Sequence, residues 1–343
     1  MFTISVAMIV RDEEPTMNRI LTCIKSFADE IIIVDTGSID KTKDIAYRFT
    51  DNVYDFEWCD DFAKARNFAF SKATKDYTMW LDADDYISEL NINKIIKLKN
   101  SNEDADVYMF KYSIGDNFVF FRERLLKTAN KYKWNGAVHE AISPSGKIIY
   151  KDIIIEHKKI KTNNPRRNLN IYNKLIQEGK DFSPREQYYY ARELFYNRHY
   201  SKCIRELKKY LKQNDQYTPN ILGAYIMLAD TYSILNKPNL AIKYLLESLS
   251  RFIPTPELCC KLADCFEKTN NISLCRYWYE TALLCPKQEQ GFINKDYQAF
   301  IPAIELCRLY YSINRTLSKK YFDLSKTVKP NHPSVIYNEQ FFK

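Results

Sequence analysis

The sequence lacks any long apolar stretch. No run approaches about 18 uninterrupted apolar residues, so we expect no transmembrane helix. The opening residues, MFTISVAMIVRDEEP, have no basic start and are too short for a secretory signal. Only seven of 343 residues are glycine, whereas 45% are hydrophobic and 27% charged, which excludes collagen-like and disordered chains. The composition indicates a globular protein, and the length suggests about two domains.

Cysteine and histidine are also sparse, at nine and four residues. Six of the cysteines lie in helical-looking sequence with few histidines near them: Cys259, Cys260, Cys265, Cys275, Cys285 and Cys307. We interpret them as buried free thiols in a reducing compartment, in preference to metal ligands or disulfides. The expected location is the cytoplasm, with the inner face of a membrane as the alternative.

Charge is unevenly distributed along the chain. Residues 1–160 hold 23 basic and 26 acidic side chains, whereas residues 161–343 hold 28 and 17. This difference indicates two parts with separate roles. The basic second half is typical either of a solvated face or of a surface for an anionic partner. Its basic residues are scattered and form no known nucleic-acid-binding motif, so we expect no nucleic-acid partner.

The first part alternates apolar runs with helical periodicity. Strands are predicted at 4–10, 31–35 and 77–84, and helices at about 16–28, 40–49 and 61–74. This spacing predicts a parallel α/β sheet. After residue 105, three strand-like segments follow with little helix between them, which predicts a mixed or antiparallel addition to the sheet.

From about residue 165 strand patterns disappear and the sequence repeats itself. Small residues recur in two series with the same steps of 38 and 34 residues: Ala191, Ala229 and Ala263, then Cys203, Ala241 and Cys275. The pattern resembles tetratricopeptide repeats, in which small residues let paired helices approach closely. An irregular helical bundle is the alternative. We therefore predict domains at 1–160 and 185–343, joined by a connecting helix at 161–184.

The acidic segment after the third strand is the strongest candidate for chemistry. Asp82, Asp84 and Asp85 follow an apolar run, at the sheet edge where open α/β sheets bind ligands. Clustered carboxylates repel one another unless a cation such as Mg²⁺ or Mn²⁺ bridges them to phosphate oxygens. A solvated acidic turn or a helix cap is the alternative interpretation.

Further polar residues belong to the same edge. Asp35 ends the second strand and Gly37 permits a tight turn, although an ordinary strand–turn–helix junction explains both. Arg11 follows the first strand, and Arg66 offers a planar set of donors that suits a diphosphate.

These segments carry a specific resemblance. The segments at 11–14, 35–38, 62–67 and 80–84 occur in the order and spacing of family 2 glycosyltransferases, over roughly residues 1–160. The chain resembles the subset in which tetratricopeptide repeats follow the catalytic domain. That subset includes sublancin-type S-glycosyltransferases, which act on bacteriocin peptides, and cell-surface glycan enzymes. The resemblance implies a GT-A fold, a UDP-sugar donor, Mg²⁺ or Mn²⁺, and inversion at the anomeric carbon.

The resemblance also implies roles for individual residues. Asp35 would contact the uridine or ribose, Asp82 the ribose or a metal-bound water, and Asp84 the metal. Arg11, Gly37, Arg66 and Asn67 would complete the nucleotide site. The family subset often has Glu where this chain has Asp85, a departure that we expect to change little.

Two downstream segments complete the candidate site. In Trp134–Glu140, Glu140 is the first candidate for the base that deprotonates the acceptor, with His139 as its alternative or orienter. A hairpin in which these residues merely cap strands is the other interpretation. His157 ends the last strand of the domain and is a candidate metal ligand, or else a surface histidine.

The expected function is transfer of a hexose or N-acetylhexosamine from a UDP-sugar to a Cys, Ser or Thr side chain of a peptide or protein. The repeats would hold that acceptor, and would also allow pairing with a second copy of the chain. Two alternatives remain open. One is a transferase that builds a lipid-linked or cell-envelope glycan, and the other is a non-catalytic scaffold that has kept a nucleotide-binding fold.

Overall fold

The computed structural model describes residues 1–101, 103–115, 118–160, 164–214, 217–287 and 294–342. The chain divides into two compact units, Met1–Lys180 and Asp181–Lys343. The first is an α/β unit and the second is helical, which confirms the predicted fold class. Within the described ranges no helix is both long and apolar enough to cross a membrane.

The first unit is built on a mixed sheet. Its strands are β1 (Ile4–Val10), β2 (Glu30–Asp35), β3 (Val53–Asp55), β4 (Tyr77–Trp80), β5 (Asp85–Tyr86), β6 (Val107–Ile114), β7 (Phe118–Lys127), β8 (Trp134–Asn135), β9 (Ala141–Ile142) and β10 (Ile148–His157). Eight of them form one sheet in the order β3-β2-β1-β4-β7-β6-β10-β5, and β8 pairs separately with β9. Strands β3, β2, β1 and β4 are mutually parallel, as the spacing predicts. Strand β7 runs antiparallel to both of its neighbours.

In the part of the first unit that the structure describes, five α-helices accompany the strands: α1 (Glu14–Lys25), α2 (Thr42–Ala46), α3 (Phe62–Phe70), α4 (Glu89–Lys99) and α5 (Arg167–Gln177). Helix α1 begins with a proline in its first turn and buries Met17, Ile20, Leu21 and Ile24, a helical spacing that directs one face to the core. Helix α4 and the short strands β3, β5, β8 and β9 were not predicted. Strands of two or three residues are too short for an alternating pattern to be recognised.

The parallel strands bring the predicted site together. Strands β2, β1 and β4 are neighbours, so their carboxyl ends lie at one edge of the sheet. The predicted strand 77–84 ends earlier, at Trp80, because the chain turns there. The Asp85 amide donates to the Asp82 carbonyl oxygen at 3.0 Å, which closes a turn instead of extending the ladder.

The second unit consists of successive helices: α6 (Pro184–Tyr196), α7 (Tyr200–Tyr210), α8 (Thr218–Ile234), α9 (Pro238–Ser248), α10 (Pro256–Lys268), α11 (Ile272–Leu284), α12 (Phe300–Tyr310), α13 (Arg315–Val328) and α14 (Pro333–Glu339). All six predicted small residues are at most 1% exposed. In the α12–α13 pair Ser318 is fully buried, and its hydroxyl donates to the Cys307 carbonyl oxygen at 2.8 Å. Close approach of paired helices therefore recurs in each pair, as the repeat pattern predicts.

The region predicted as a connecting helix is divided between the two units. Helix α5 belongs to the first unit, which extends to Lys180. It buries Leu169, Ile171 and Tyr172. The Tyr172 hydroxyl donates to the carbonyl oxygen of Val138, which also lies in the first unit, so helix α5 is part of that unit's structure.

The repeat packing makes a prediction about stability. Ala263 is fully buried in α10, so Ala263→Leu should overpack the helix pair and destabilise the second unit by about 1–3 kcal/mol. Urea unfolding of the intact chain, followed by far-UV circular dichroism, measures the change. Ser273→Leu, at an exposed position of α11, should change the stability by less than about 0.5 kcal/mol. Equal effects of the two substitutions would contradict close packing at Ala263.

Candidate active site

A cleft of about 530 Å³ opens in the first unit at the carboxyl ends of β1 and β4. Seven predicted site residues line it: Arg11, Arg66, Asp82, Asp84, His139, Glu140 and His157. They come from five separate segments of sequence. The sheet topology therefore brings into one cavity the residues that the sequence suggested separately.

Asp35 lies beside this cleft, next to the lining residue Thr36. Its Oδ1 accepts hydrogen bonds from the amides of Gly37 at 3.0 Å and Ser38 at 2.9 Å. Gly37 has φ +102°, a conformation that strains any residue with a side chain. Asp35 Oδ2 is buried and accepts no hydrogen bond in the structure. A buried acceptor without a donor indicates a place for a ligand N–H or O–H group.

Asn67 has a different environment. Its side-chain nitrogen donates to the Trp134 carbonyl oxygen at 3.0 Å, and its oxygen accepts from the Trp134 amide at 2.9 Å. Both ends of the carboxamide thus bind the backbone of β8, and Asn67 is not among the residues that line the cleft. Asn67 positions the Trp134 strand, so we leave it out of the nucleotide contacts proposed below.

A buried ion pair supports the acidic turn. The side chains of Asp85 and Arg124 are both fully buried, and Arg124 Nη1 donates to Asp85 Oδ2 at 3.0 Å. The same carboxylate oxygen accepts from the Asp82 amide at 3.1 Å. Asp85 therefore holds the turn from within, while Asp82 and Asp84 line the cleft.

Arg124 reaches this position through an irregularity in β7. The pairing with β6 shifts register where Tyr108 opposes Leu125 and Met109 opposes Glu123, which leaves Arg124 as the extra residue of a bulge. Its guanidinium carbon lies 3.6 Å from the Trp80 ring centroid and 4.4 Å from that of Tyr112. Among the described residues, none accepts a hydrogen bond from Arg124 Nε or Nη2, and the guanidinium packs against the two rings.

Asp84, Asp85 and His157 could each offer a ligand atom to a metal ion, within 4.8 Å of one another. Both carboxylate oxygens of Asp85 already accept hydrogen bonds, Oδ1 from Tyr112 at 2.9 Å and Oδ2 from Arg124, so Asp85 is not proposed as a metal ligand. Asp84 Oδ1 and His157 Nδ1 lie 3.3 Å apart, and the carboxylate raises the pKa of His157. Two side-chain ligands together with phosphate oxygens and water suit Mg²⁺ or Mn²⁺, so Asp84 and His157 fit such an ion.

Glu140 is held by Arg66. Arg66 Nε donates to Glu140 Oε1 at 2.7 Å, and Arg66 Nη2 donates to Asp82 Oδ1 at 2.8 Å. Burial alone would raise the pKa of Asp82, but the positive charges of Arg66 and Arg124 outweigh it and hold this pKa below its ordinary value. Asp82 therefore stays ionised at neutral pH.

His139 precedes Glu140 in a strained backbone conformation. Its φ is +53°, in the left-handed region that residues with side chains seldom adopt. Strain of this kind concentrates at functional sites, where the surrounding structure maintains it. The positive φ of His139 marks the sharp bend that carries Glu140 into the cleft.

Helix α5 forms a wall of the cleft that the sequence analysis did not foresee. Arg167 and Asn168, from its first turn, line the cavity. The Tyr172 hydroxyl donates to the Val138 carbonyl oxygen at 3.4 Å, and Lys174 pairs with Asp60 at 2.7 Å. These contacts fix the helix beside the loop that holds His139 and Glu140.

The sequence analysis also missed the residues that support the site. Arg124, Tyr112 and the pairing role of Asp85 were not predicted. One signal was present, since charged residues interrupt the apolar strand FVFFRERLLK. A charged residue in a central strand must find a partner inside the protein, although the sequence does not say which one.

Comparison with known proteins identifies relatives of the chain. Residues 5–157 match the family model "Glycosyl transferase family 2". A TPR repeat-containing protein of Synechococcus elongatus is 37% identical over 110 residues, which cover 32% of this chain and 27% of the relative. The prophage-derived glycosyltransferase SunS of Bacillus subtilis is 28% identical over 237 residues, covering 62% of this chain and 55% of SunS.

The chain thus spans about a quarter of the length of the first relative and about half of the second. The family match covers the predicted catalytic domain, and a protein named for its TPR repeats is among the relatives. The family match covers the strands and loops that form the cleft, from β1 to His157. The N-terminal part of the chain, residues 5–157, is therefore similar to glycosyl transferase family 2.

Proposed function

We propose that the chain is an inverting glycosyltransferase that moves a hexose or N-acetylhexosamine from a UDP-sugar to a Cys, Ser or Thr side chain of a peptide or protein. The observation that carries this proposal is the placement of Glu140 in the same cleft as Asp84 and His157. A proton acceptor and a candidate metal site within one cavity are what a single displacement on a nucleotide sugar requires.

The donor end of the cleft is proposed to bind the nucleotide. Asp35 Oδ2 would accept from the uracil or a ribose hydroxyl, since its other oxygen is already bound by the turn at Gly37. Arg11 lines the cleft after β1 and would contact the phosphates. Asp82 Oδ1 is bound by Arg66, so Oδ2 is the atom proposed to contact the ribose or a metal-bound water.

The acidic turn is proposed to hold Mg²⁺ or Mn²⁺ through Asp84 and His157. When bound, such an ion supplies positive charge that stabilises the departing UDP. The contribution of the chain is to present Asp84 outward. The Asp85–Arg124 pair fixes the turn on its inner side. The Lys158 amide donates to the Asp84 carbonyl oxygen at 2.8 Å, which joins the turn to the end of β10.

Glu140 is proposed to take the acceptor's proton. Arg66 occupies Oε1, and none of the described residues binds Oε2. As the acceptor's sulfur or oxygen forms its bond to the anomeric carbon, the bond from that carbon to the UDP oxygen breaks. The acceptor's proton passes to Glu140 Oε2. Attack from the face opposite UDP inverts the configuration, and no covalent enzyme intermediate is needed.

The acceptor is proposed to be a polypeptide held by the helical repeats, whose stacked pairs suit extended peptides. A second observation supports a polar acceptor. Helix α5 lies beside the loop of the proposed base and presents Arg167 and Asn168 to the cleft. A guanidinium and a carboxamide suit peptide carbonyl groups better than a lipid chain.

The test of this function is a donor screen. Hydrolysis and binding of UDP-glucose, UDP-N-acetylglucosamine, UDP-galactose and GDP-mannose are measured with Mn²⁺ and with chelator. We expect metal-dependent turnover of one UDP-sugar, followed by mass-spectrometric detection of that sugar on peptides containing Cys, Ser or Thr. A folded protein that binds none of the donors would favour the scaffold alternative, and a glycolipid product would favour the envelope-glycan alternative.

Asp84→Ala should remove metal-dependent turnover, because one of two proposed side-chain ligands is lost. Turnover with Mn²⁺ should fall to the level measured with chelator, and calorimetry should show weakened Mn²⁺ binding. The circular dichroism spectrum should stay unchanged, since Asp85 and not Asp84 supports the turn. Asp51→Ala, at an exposed aspartate, is the matched control and should retain full turnover. Unchanged turnover in Asp84→Ala would refute the metal assignment.

Glu140→Gln should separate binding from chemistry. Glutamine can still accept the hydrogen bond from Arg66 Nε, but it cannot take a proton. Transfer should therefore fall by about 10²- to 10⁴-fold, while the affinity for UDP stays the same. Initial rates and titration calorimetry with UDP provide the two measurements. If transfer persists in this variant, another group is the base, and His139→Ala becomes the next variant to measure.

A further inference from the structure

Arg66 lies at the centre of the cleft in an arrangement that differs from a simple phosphate clamp. Its side chain is only 10% exposed. Two of its nitrogens donate to carboxylates from distant parts of the chain, Glu140 at 2.7 Å and Asp82 at 2.8 Å. One of these belongs to the proposed base and the other to the acidic turn. The guanidinium therefore connects the two halves of the proposed chemistry.

Aromatic rings determine the orientation of this guanidinium. Its central carbon lies 5.2 Å from the Trp80 ring centroid and 4.9 Å from that of Trp134. The two indoles are themselves packed edge to face, with centroids 5.0 Å apart. A planar group packed against fixed rings has few alternative orientations, so the directions of Nε and Nη2 are set before any ligand binds.

The backbone around Arg66 is secured without its side chain. Asp61 caps helix α3 by accepting from the Lys64 amide at 2.9 Å. The Phe62 amide donates to the Ala137 carbonyl oxygen at 2.9 Å, which joins the start of the helix to the loop of Glu140. Loss of the Arg66 side chain would thus free the Glu140 carboxylate while leaving the loop attached.

We propose that Arg66 is a positioning residue for the base, acting through Glu140, and that it is not a ligand of the UDP diphosphate. By occupying Oε1, Arg66 directs Glu140 Oε2 to the acceptor, and by binding Asp82 it sets the distance between the base and the donor. This inference rests on the proposed function, because it requires Glu140 to be the base. It revises the role that the sequence resemblance implies for Arg66.

The two roles predict different results for Arg66→Ala. A lost diphosphate clamp would weaken UDP binding by about 10- to 100-fold, the usual range for a hydrogen bond to a charged group. A lost positioning residue leaves the UDP dissociation constant within about 2-fold and slows turnover by about 100-fold, within the range of a misplaced general base. Titration calorimetry with UDP and Mn²⁺, and initial rates with the donor found in the screen, measure both quantities.

Three variants make the test specific. Lys64→Ala, on the same helix with its side chain 68% exposed, should match the unchanged protein in both measurements. Arg66→Lys should be almost as slow as Arg66→Ala, because one ammonium group cannot span two carboxylates with the planar geometry of a guanidinium. The double variant Arg66→Ala/Glu140→Gln should be no slower than Glu140→Gln alone, because Arg66 acts through Glu140. Multiplied losses in the double variant would overturn the proposal.

Chemical rescue provides a further test, because added guanidinium would not restore turnover if Arg66 had only a structural role. Guanidinium chloride at millimolar concentration should restore turnover of Arg66→Ala by about 10-fold, since the ion can occupy the space between the two indoles and the two carboxylates. It should not accelerate Arg66→Lys or the unchanged protein. Parallel loss of UDP affinity and turnover, with no rescue, would overturn the proposal and support a diphosphate clamp.

Failure of the proposed function has a separate signature. In that case the unchanged protein neither binds UDP nor turns over any donor. The contact between Arg66 and Glu140 is then tested by urea unfolding of Arg66→Met, Glu140→Ala and the double variant. The two single shifts in the urea midpoint are added to predict the midpoint of the double variant. If the double variant unfolds at a higher urea concentration than this sum predicts, the two side chains interact and the positioning contact is supported. Strictly additive shifts would overturn it.

Discussion

The acidic turn depends on one buried ion pair, Asp85–Arg124. Both side chains are removed from solvent, and removing one partner of such a pair leaves an uncompensated buried charge, which is strongly destabilising. The pair is retained because it does more than neutralise itself. Asp85 Oδ2 also binds the Asp82 amide, and Oδ1 accepts from Tyr112, whose hydroxyl lies 3.0 Å from His157 Nδ1. The positions of the candidate ribose contact and the candidate metal ligands follow from this pair.

A second network, centred on Arg66, packs against Trp80, the tryptophan that Arg124 also contacts. The guanidinium groups of Arg66, Arg122 and Arg124 all lie within 5.2 Å of the Trp80 ring. Their carboxylate partners come from three segments of the chain: Asp82 and Asp85, Glu123, and Glu140. Positive and negative charges thus alternate around the Trp80 ring.

The two units are built on different packing principles. In the first, parallel strands align their carboxyl ends, so polar residues that follow separate strands converge on one edge. In the second, small residues at regular intervals let helices pair closely, and the unit grows by repetition. Helix α5 extends the first unit beyond the family match and adds a wall beside Glu140. The residues covered by the family match and the wall beside Glu140 therefore come from different segments.

The sequence by itself determined the alternation of strands and helices, the repeat spacing and the residue types at the sheet edge, because each depends on local periodicity or on positions directly after a strand. Asp35, Asp82 and Asp84 were found for that reason. The tertiary structure alone decided which charges pair. Arg66 and Glu140 are 74 residues apart and Asp85 and Arg124 are 39 apart, and a partner at such distance is chosen by register and packing. Arg124 is aimed inward by a bulge in β7, and Asn67 is turned to the backbone of Trp134, because both orientations arise only when distant strands meet.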